Sequence, residues 1–147
     1  MNRHRIFAAF FVVLLTGLLA AIRFFQLDLF YDPLNDYFHS NFQALPYPDM
    51  DLGKLVLSNS LRFLLNSVTS LWILWFLYKS RSYVNAALWV YLFAFVLLTA
   101  AILILLQMDT ALAKMALFYT RRFLIHPLLL FILVAGCYYL QNQKSNV

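Results

Sequence analysis

Residues 84–106 read VNAALWVYLFAFVLLTAAILILL, twenty-three positions without a charge. An α-helix rises about 1.5 Å per residue and the hydrocarbon of a bilayer is about 30 Å thick, so about 20 such residues make one crossing. The run is far longer than a membrane β-strand and shows no alternation of apolar and polar residues, which excludes a barrel strand.

Outward from it, three further stretches meet the same length requirement: 6–25, 55–78 and 123–140. Composition agrees with them. The 147 residues are 64% apolar and 12% charged, against about half and about a quarter in a soluble domain. A short soluble chain has to cover much of its surface with polar groups, and this one lacks them. The expectation is an all-α, polytopic membrane protein, a single domain built as a four-helix transmembrane bundle. The first stretch has the basic start of a signal peptide in Arg3 and Arg5. No small-x-small site stands out before Arg23, however, and the apolar run is long for a signal peptide, so it reads as an uncleaved anchor. The net charge of +5 does not point to nucleic acid, because the basic residues flank apolar runs instead of forming a patch on a soluble scaffold.

The link at 79–83, Lys-Ser-Arg-Ser-Tyr, is short enough to force an antiparallel hairpin between the second and third spans. The connection at 107–122 is longer. Its part over 109–119 reads either as a helix at the interface or as an extension of the fourth span. Arg3, Arg5, Lys79, Arg81 and Lys144 fall on one side, and all six acids, Asp28, Asp32, Asp36, Asp49, Asp51 and Asp109, on the other. A bare count of Lys and Arg is a tie, since Arg23, Lys54, Lys114, Arg121 and Arg122 sit near the opposite face. The N-terminal charges and the acid-free link decide for both termini in the cytoplasm. Tyr78, Tyr83, Tyr138 and Tyr139 fall at the inner boundary, where tyrosine is favoured.

The outer loop, 26–54, carries five Asp and one Lys, a net charge of −4, and six aromatics: Phe30, Tyr31, Tyr37, Phe38, Phe42 and Tyr47. A flexible linker is poor in aromatics, so this loop is expected to fold back on the membrane surface or on the bundle. Asp32-Pro33 reads as a helix start, with Asp32 capping free N–H groups and Pro33 at the first helical position. A short helix from 33 to about 42 would follow, and Asp51 would cap the second span. The spacing of Asp28, Asp32 and Asp36 is not that of a calcium loop, which needs denser oxygens and a turn glycine. No metal site is expected.

The polar residues inside the spans carry the most information. Arg62 lies within the second span, where a central Arg costs about 2.5–3.5 kcal/mol on insertion. Asn59, Arg62, Asn66 and Ser70 recur at three and four and share one helix face, with Thr69 beside it. This stripe reads either as interhelical glue, at about 0.6 kcal/mol per side chain, or as a solute path. The fourth span opens on YTRRFLIHP, 119–127. Pro127 strands the Phe123 carbonyl, and Arg122 or His126 would serve that freed backbone region; alternatively, Arg121 and Arg122 would hold lipid phosphates or an acidic partner. The expectation is one polar layer near the outer interface, built from Arg23, Arg62, Arg121, Arg122 and His126, with Asp28 and Asp32 as counter-charges and Asn59 and Asn66 beside them. No phosphate loop, serine elbow or zinc motif occurs, and Cys137 lies about 16 Å along the helix axis from His126, too far for a thiol–base pair. Neither a cofactor nor catalysis by this chain is expected.

Three stretches carry a resemblance: Ile22-Arg23-Phe24-Phe25 with Leu29-Phe30-Tyr31-Asp32-Pro33, then Leu61-Arg62-Phe63-Leu64-Leu65-Asn66, and Phe118-Tyr119 with Arg121-Arg122-Phe123-Leu124-Ile125-His126-Pro127. With the chain length and four spans, the sequence resembles the exosortase F system-associated membrane proteins of flavobacteria over nearly its whole extent. LFYDP and RRFLIHP are the most specific pieces, and neither is a catalytic motif. The resemblance implies an inner-membrane partner subunit or chaperone of an exosortase, a polytopic transpeptidase-like enzyme that processes proteins bearing a C-terminal sorting signal. The chain does not resemble the exosortase itself, which is larger and uses Cys, Arg and His near the outer face. The competing expectation is a small transporter using the Asn59–Arg62–Asn66 stripe.

Overall fold

The computed structural model describes residues 3–145, apart from the side chains of His4, Leu27, Lys144 and Ser145. Lys144, counted above among the charges of one end, lies outside the described side chains. Among the described residues the chain is all-α, with seven helical segments: α1 (Arg3–Phe24), α2 (Gln26–Leu29), α3 (Pro33–His39), α4 (Leu52–Tyr78), α5 (Arg81–Leu105), α6 (Ala111–Ile125) and α7 (Leu128–Ser145). Three of them, α1, α4 and α5, are long and apolar enough to cross a membrane. The pair α6 and α7, bent by 63° at a short break, would make a fourth if taken as one span.

The break is where the structure departs from the continuous stretch expected over 123–140. Residues Phe123, Leu124 and Ile125 belong to α6, and the chain turns at His126 (φ −93°, ψ 146°). The residue before a proline is pushed out of the helical region, and Pro127 has no N–H to continue the ladder. The open alternative for 109–119 is resolved with it: the segment forms most of α6, a separate helix that packs on α5 and α4. Local chemistry sets the other ends. Asp51 caps α4 by accepting from the Lys54 N–H at 3.2 Å, and Thr110 caps α6 by accepting from the Ala113 N–H at 3.2 Å. The hairpin between α4 and α5 turns on Lys79 in the left-handed region (φ 49°), a conformation that suits glycine better.

The buried faces hold apolar residues, Leu55, Phe63, Ile73 and Leu74 on α4 and Leu117 and Leu124 on α6, but many polar residues are drawn inward with them while large apolar ones lie outside. On α4 the buried face holds Ser58, Asn59, Arg62, Asn66, Ser67, Thr69 and Ser70, while Leu57, Leu61, Leu64, Leu65, Val68 and Trp72 are exposed. On α6 the buried face carries Lys114 and Arg121, and Leu112, Met115, Tyr119 and Phe123 point away from the protein. A soluble helix does the reverse.

One apolar cluster, with Leu34, Leu55, Phe63, Tyr91, Leu117 and Leu124 at its centre, lies under the loop and α6. A second, of Leu19, Ile73, Leu74, Ala87, Leu130 and Cys137, lies toward the other end. At that end Arg5 and Lys79 border one cleft, Phe11 stacks on Phe76 at 5.0 Å, and the Tyr78 hydroxyl donates to the Val134 carbonyl at 2.7 Å. The start of α1, the α4–α5 link and the later part of α7 therefore share one end, and the 26–51 loop shares the other with α6.

Candidate functional site

Asp32 stands at the cap position of α3, yet its side chain makes no cap hydrogen bond. This corrects the capping role expected for it. Its Oδ2 instead accepts from Arg62 Nη1 of α4 at 2.8 Å and from Arg121 Nη2 of α6. All three side chains are out of contact with the surroundings: 3% exposed for Asp32, 2% for Arg62 and 9% for Arg121. Arg62 also approaches the Gln26 carbonyl at 3.4 Å, and its guanidinium lies 4.9 Å from the Phe30 ring centre; that of Arg121 lies 5.7 Å from Phe38. Burying one unpaired charge is strongly unfavourable, so each guanidinium needs this carboxylate. Two cations on one anion still leave one net positive charge. Asp32 Oδ1, Arg62 Nε and Arg121 Nε have no partner among the described residues.

Asn66, one turn along α4 from Arg62, donates from Nδ2 to the Ile125 carbonyl at 2.6 Å. The last carbonyls of a helix lack intrahelical partners, and the Pro127 break creates such an end in the middle of the protein. Asn66 therefore serves the Ile125 carbonyl at this end, and neither Arg122 nor His126 makes a side-chain hydrogen bond to the Phe123 carbonyl among the described residues. Ser70 and Thr69 bond back to the Asn66 and Leu65 carbonyls of their own helix, so those hydroxyls do not bridge helices. Asn59 is buried, its Oδ1 has no partner among the described residues, and it does not join the Asp32 cluster there. The hole beside Arg62 and Asn66 measures about 10 Å³, at most one water's space.

Arg23, Arg122 and His126 do come together, with Arg121, around a cleft of about 310 Å³. Arg122 is exposed, its guanidinium 5.4 Å from the Phe118 ring centre. Asp28 is exposed and makes no ion pair among the described residues, so Asp32 alone supplies the expected counter-charge.

Lys114 escaped the sequence reading, which used it only as a count. It is buried, pairs with Asp109 at 2.6 Å, donates to the Leu45 carbonyl at 2.7 Å and lies 5.6 Å from the Tyr47 ring centre. The signal was present: positions 114, 117, 121 and 124 share a helix face, which put Lys114 on the same side as Arg121. The loop packs on the bundle, as one of the two expectations had it. Tyr37 donates toward the Phe42 and Leu45 carbonyls at 2.7 and 2.9 Å, and Tyr47 toward those of Leu105 and Met108 at 3.3 and 3.2 Å. Burial pushes both phenols above their ordinary value, with nearby Lys114 opposing the shift.

Chemically, the Asp32 cluster ties the start of α3 to α4 and α6 through charge-assisted hydrogen bonds. Cys137 sits in the second apolar cluster among Leu19, Ile73, Leu74, Ala87 and Leu130, with the surroundings of a small apolar filler. No protein-family model, no curated protein and no solved structure matches this chain.

Proposed function

We propose that the chain is a small accessory protein of the bacterial inner membrane. It crosses the bilayer four times, by α1, α4, α5 and the broken α6–α7 pair, with both termini in the cytoplasm. It acts as a partner subunit or chaperone of an exosortase in the sorting of surface proteins. The bilayer placement is supported by the buried polar residues and the exposed large apolar ones of α4 and α6, since hydrocarbon is the solvent that tolerates Leu and Trp outside and needs Arg and Asp inside. Arg62 lies seventeen positions before Lys79, about 25 Å along the helix, a distance that supports an Asp32 cluster near the outer headgroups.

The accessory reading is carried by one observation. The three stretches that bear the resemblance converge: Asp32 from LFYDP, Arg62 from LRFLLN and Arg121 from RRFLIHP share a single carboxylate oxygen. These segments build one outer polar layer, beside which Arg122 and the aromatic loop offer a surface to a partner. The packed stripe of α4, with its hole of about 10 Å³, gives a solute path no comparable support. The test is purification from the native membrane in mild detergent. An exosortase that co-purifies in stoichiometric amount, and is lost with Arg122→Ala, is the expected result. A wild-type protein that brings down no exosortase overturns the partnership.

A further inference from the structure

We propose that the cleft between α1, α3 and α6 binds the phosphate of an anionic glycerophospholipid. The proposal rests on the bilayer placement above and not on the exosortase partnership. Arg23, Gln26, His39, Arg121, Arg122 and His126 face the cleft, and none of its lining residues is acidic. Arg121 lines it as well and is itself buried. The single carboxylate that serves Arg121 is shared with Arg62, so one positive charge of that pair is left over. Arg23 and Arg122 add two more, and neither makes an ion pair among the described residues. A concave site with this surplus of cation attracts an anion, and guanidinium forks match the paired oxygens of a phosphate.

Two observations favour a lipid as the source of that phosphate. The neighbours in sequence of Arg23 and Arg122 are exposed aromatics, Phe24, Phe25 and Phe123 at 82%, 52% and 43%, an apolar surface on which acyl chains would lie. Arg23 is also in the last turn of α1, twenty residues and about 30 Å from the basic start of that helix, which is the headgroup level of the far leaflet. Basic pockets at that level between spanning helices take lipid headgroups.

The full-length protein is incorporated into phosphatidylcholine nanodiscs containing a minor fraction of phosphatidylglycerol, and retained lipids are counted by native mass spectrometry. We expect one phosphatidylglycerol to be retained, favoured over phosphatidylcholine by about tenfold or more. The preference should vanish in Arg23→Gln/Arg122→Gln, survive in Arg23→Lys/Arg122→Lys, and be untouched by Arg81→Gln at the opposite end. Both changed residues are exposed, and a circular dichroism spectrum checks that the helices remain. Equal retention of the two lipids by the wild type, or an unchanged preference in the Gln pair, overturns the site. Inorganic phosphate or an acidic peptide that competes as well as phosphatidylglycerol overturns the lipid as its occupant. Failure to enter the nanodisc at all would instead sink the bilayer placement.

Discussion

At the Asp32 end, α3, α4 and α6 are tied by directional groups: a carboxylate between two guanidiniums, Asn66 on the Ile125 carbonyl, and Lys114 between Asp109 and the Leu45 carbonyl. At the Cys137 end the second apolar cluster joins the helices through Leu19, Ile73, Leu74, Ala87 and Leu130, and the Tyr78 hydroxyl donates to the Val134 carbonyl. The contrast has a physical reason. In hydrocarbon there is no hydrophobic force between helices, because a lipid tail is as apolar as a Leu side chain. Apolar packing there leaves the register of neighbouring helices weakly specified. A buried guanidinium is different, since sliding by one turn would strip it of its anion. The polar end fixes how the helices align, and the apolar end follows.

The sharpest way to break this contrast is Asp32→Ala. It leaves two buried guanidiniums with no counter-charge, and removing one partner of a buried pair costs about 3–5 kcal/mol. Unfolding by heat or by denaturing detergent in micelles should register the loss. The joint replacement of Arg62 and Arg121 by Met with Asp32→Leu removes all three charges and should recover most of it, as apolar substitutes for whole buried ion clusters often do. Next is Asn66→Leu, which orphans the Ile125 carbonyl at the α6–α7 break and should cost about 1–3 kcal/mol in the same assay.

At the other end the expected effect is smaller and of opposite sign. Lys79→Gly relieves the left-handed backbone of the hairpin and should stabilise by roughly 1 kcal/mol. The smallest effect belongs to the loop phenols. Tyr37 and Tyr47 are raised by burial, so the folded loop favours their neutral forms. That contribution is complete below the ordinary phenol value of about 10 and is lost only as pH climbs through the raised values. Phenolate absorbance should therefore grow in, and the loop should loosen, only in stronger alkali than free tyrosine needs.

Much of this was legible in the chain. Long uncharged runs such as 84–106 announce helices because length and hydropathy are local properties. Asp51 sits where an N-cap belongs, and the Asn59–Arg62–Asn66 face follows from the helical period alone. The partner of Arg62 was not legible to the same degree. Asp28 and Asp32 are both near in sequence to the end of α1, and only the fold of the loop decides that Asp32 turns inward while Asp28 stays exposed. Asp32 before Pro33 carries the local signature of a cap, and tertiary charge overrode it. The bend at Pro127 was visible as a lost donor but not as a 63° turn, because a proline kink is sized by what packs around it.

The central claim is that hydrocarbon bathes the exposed apolar faces. It is tested most directly by thiol accessibility. In a Cys137→Ala background, single cysteines are placed at Leu92 and Ile132, 54% and 60% exposed, and at Asp49 in the loop. The protein in sealed vesicles is then treated with a membrane-impermeant maleimide, before and after the vesicles are permeabilised. Asp49→Cys should react, while Leu92→Cys and Ile132→Cys resist in both states although more than half of each side chain is free of protein cover. Reaction of those two at the rate of the loop position would mean that water touches them, and would contradict the claim.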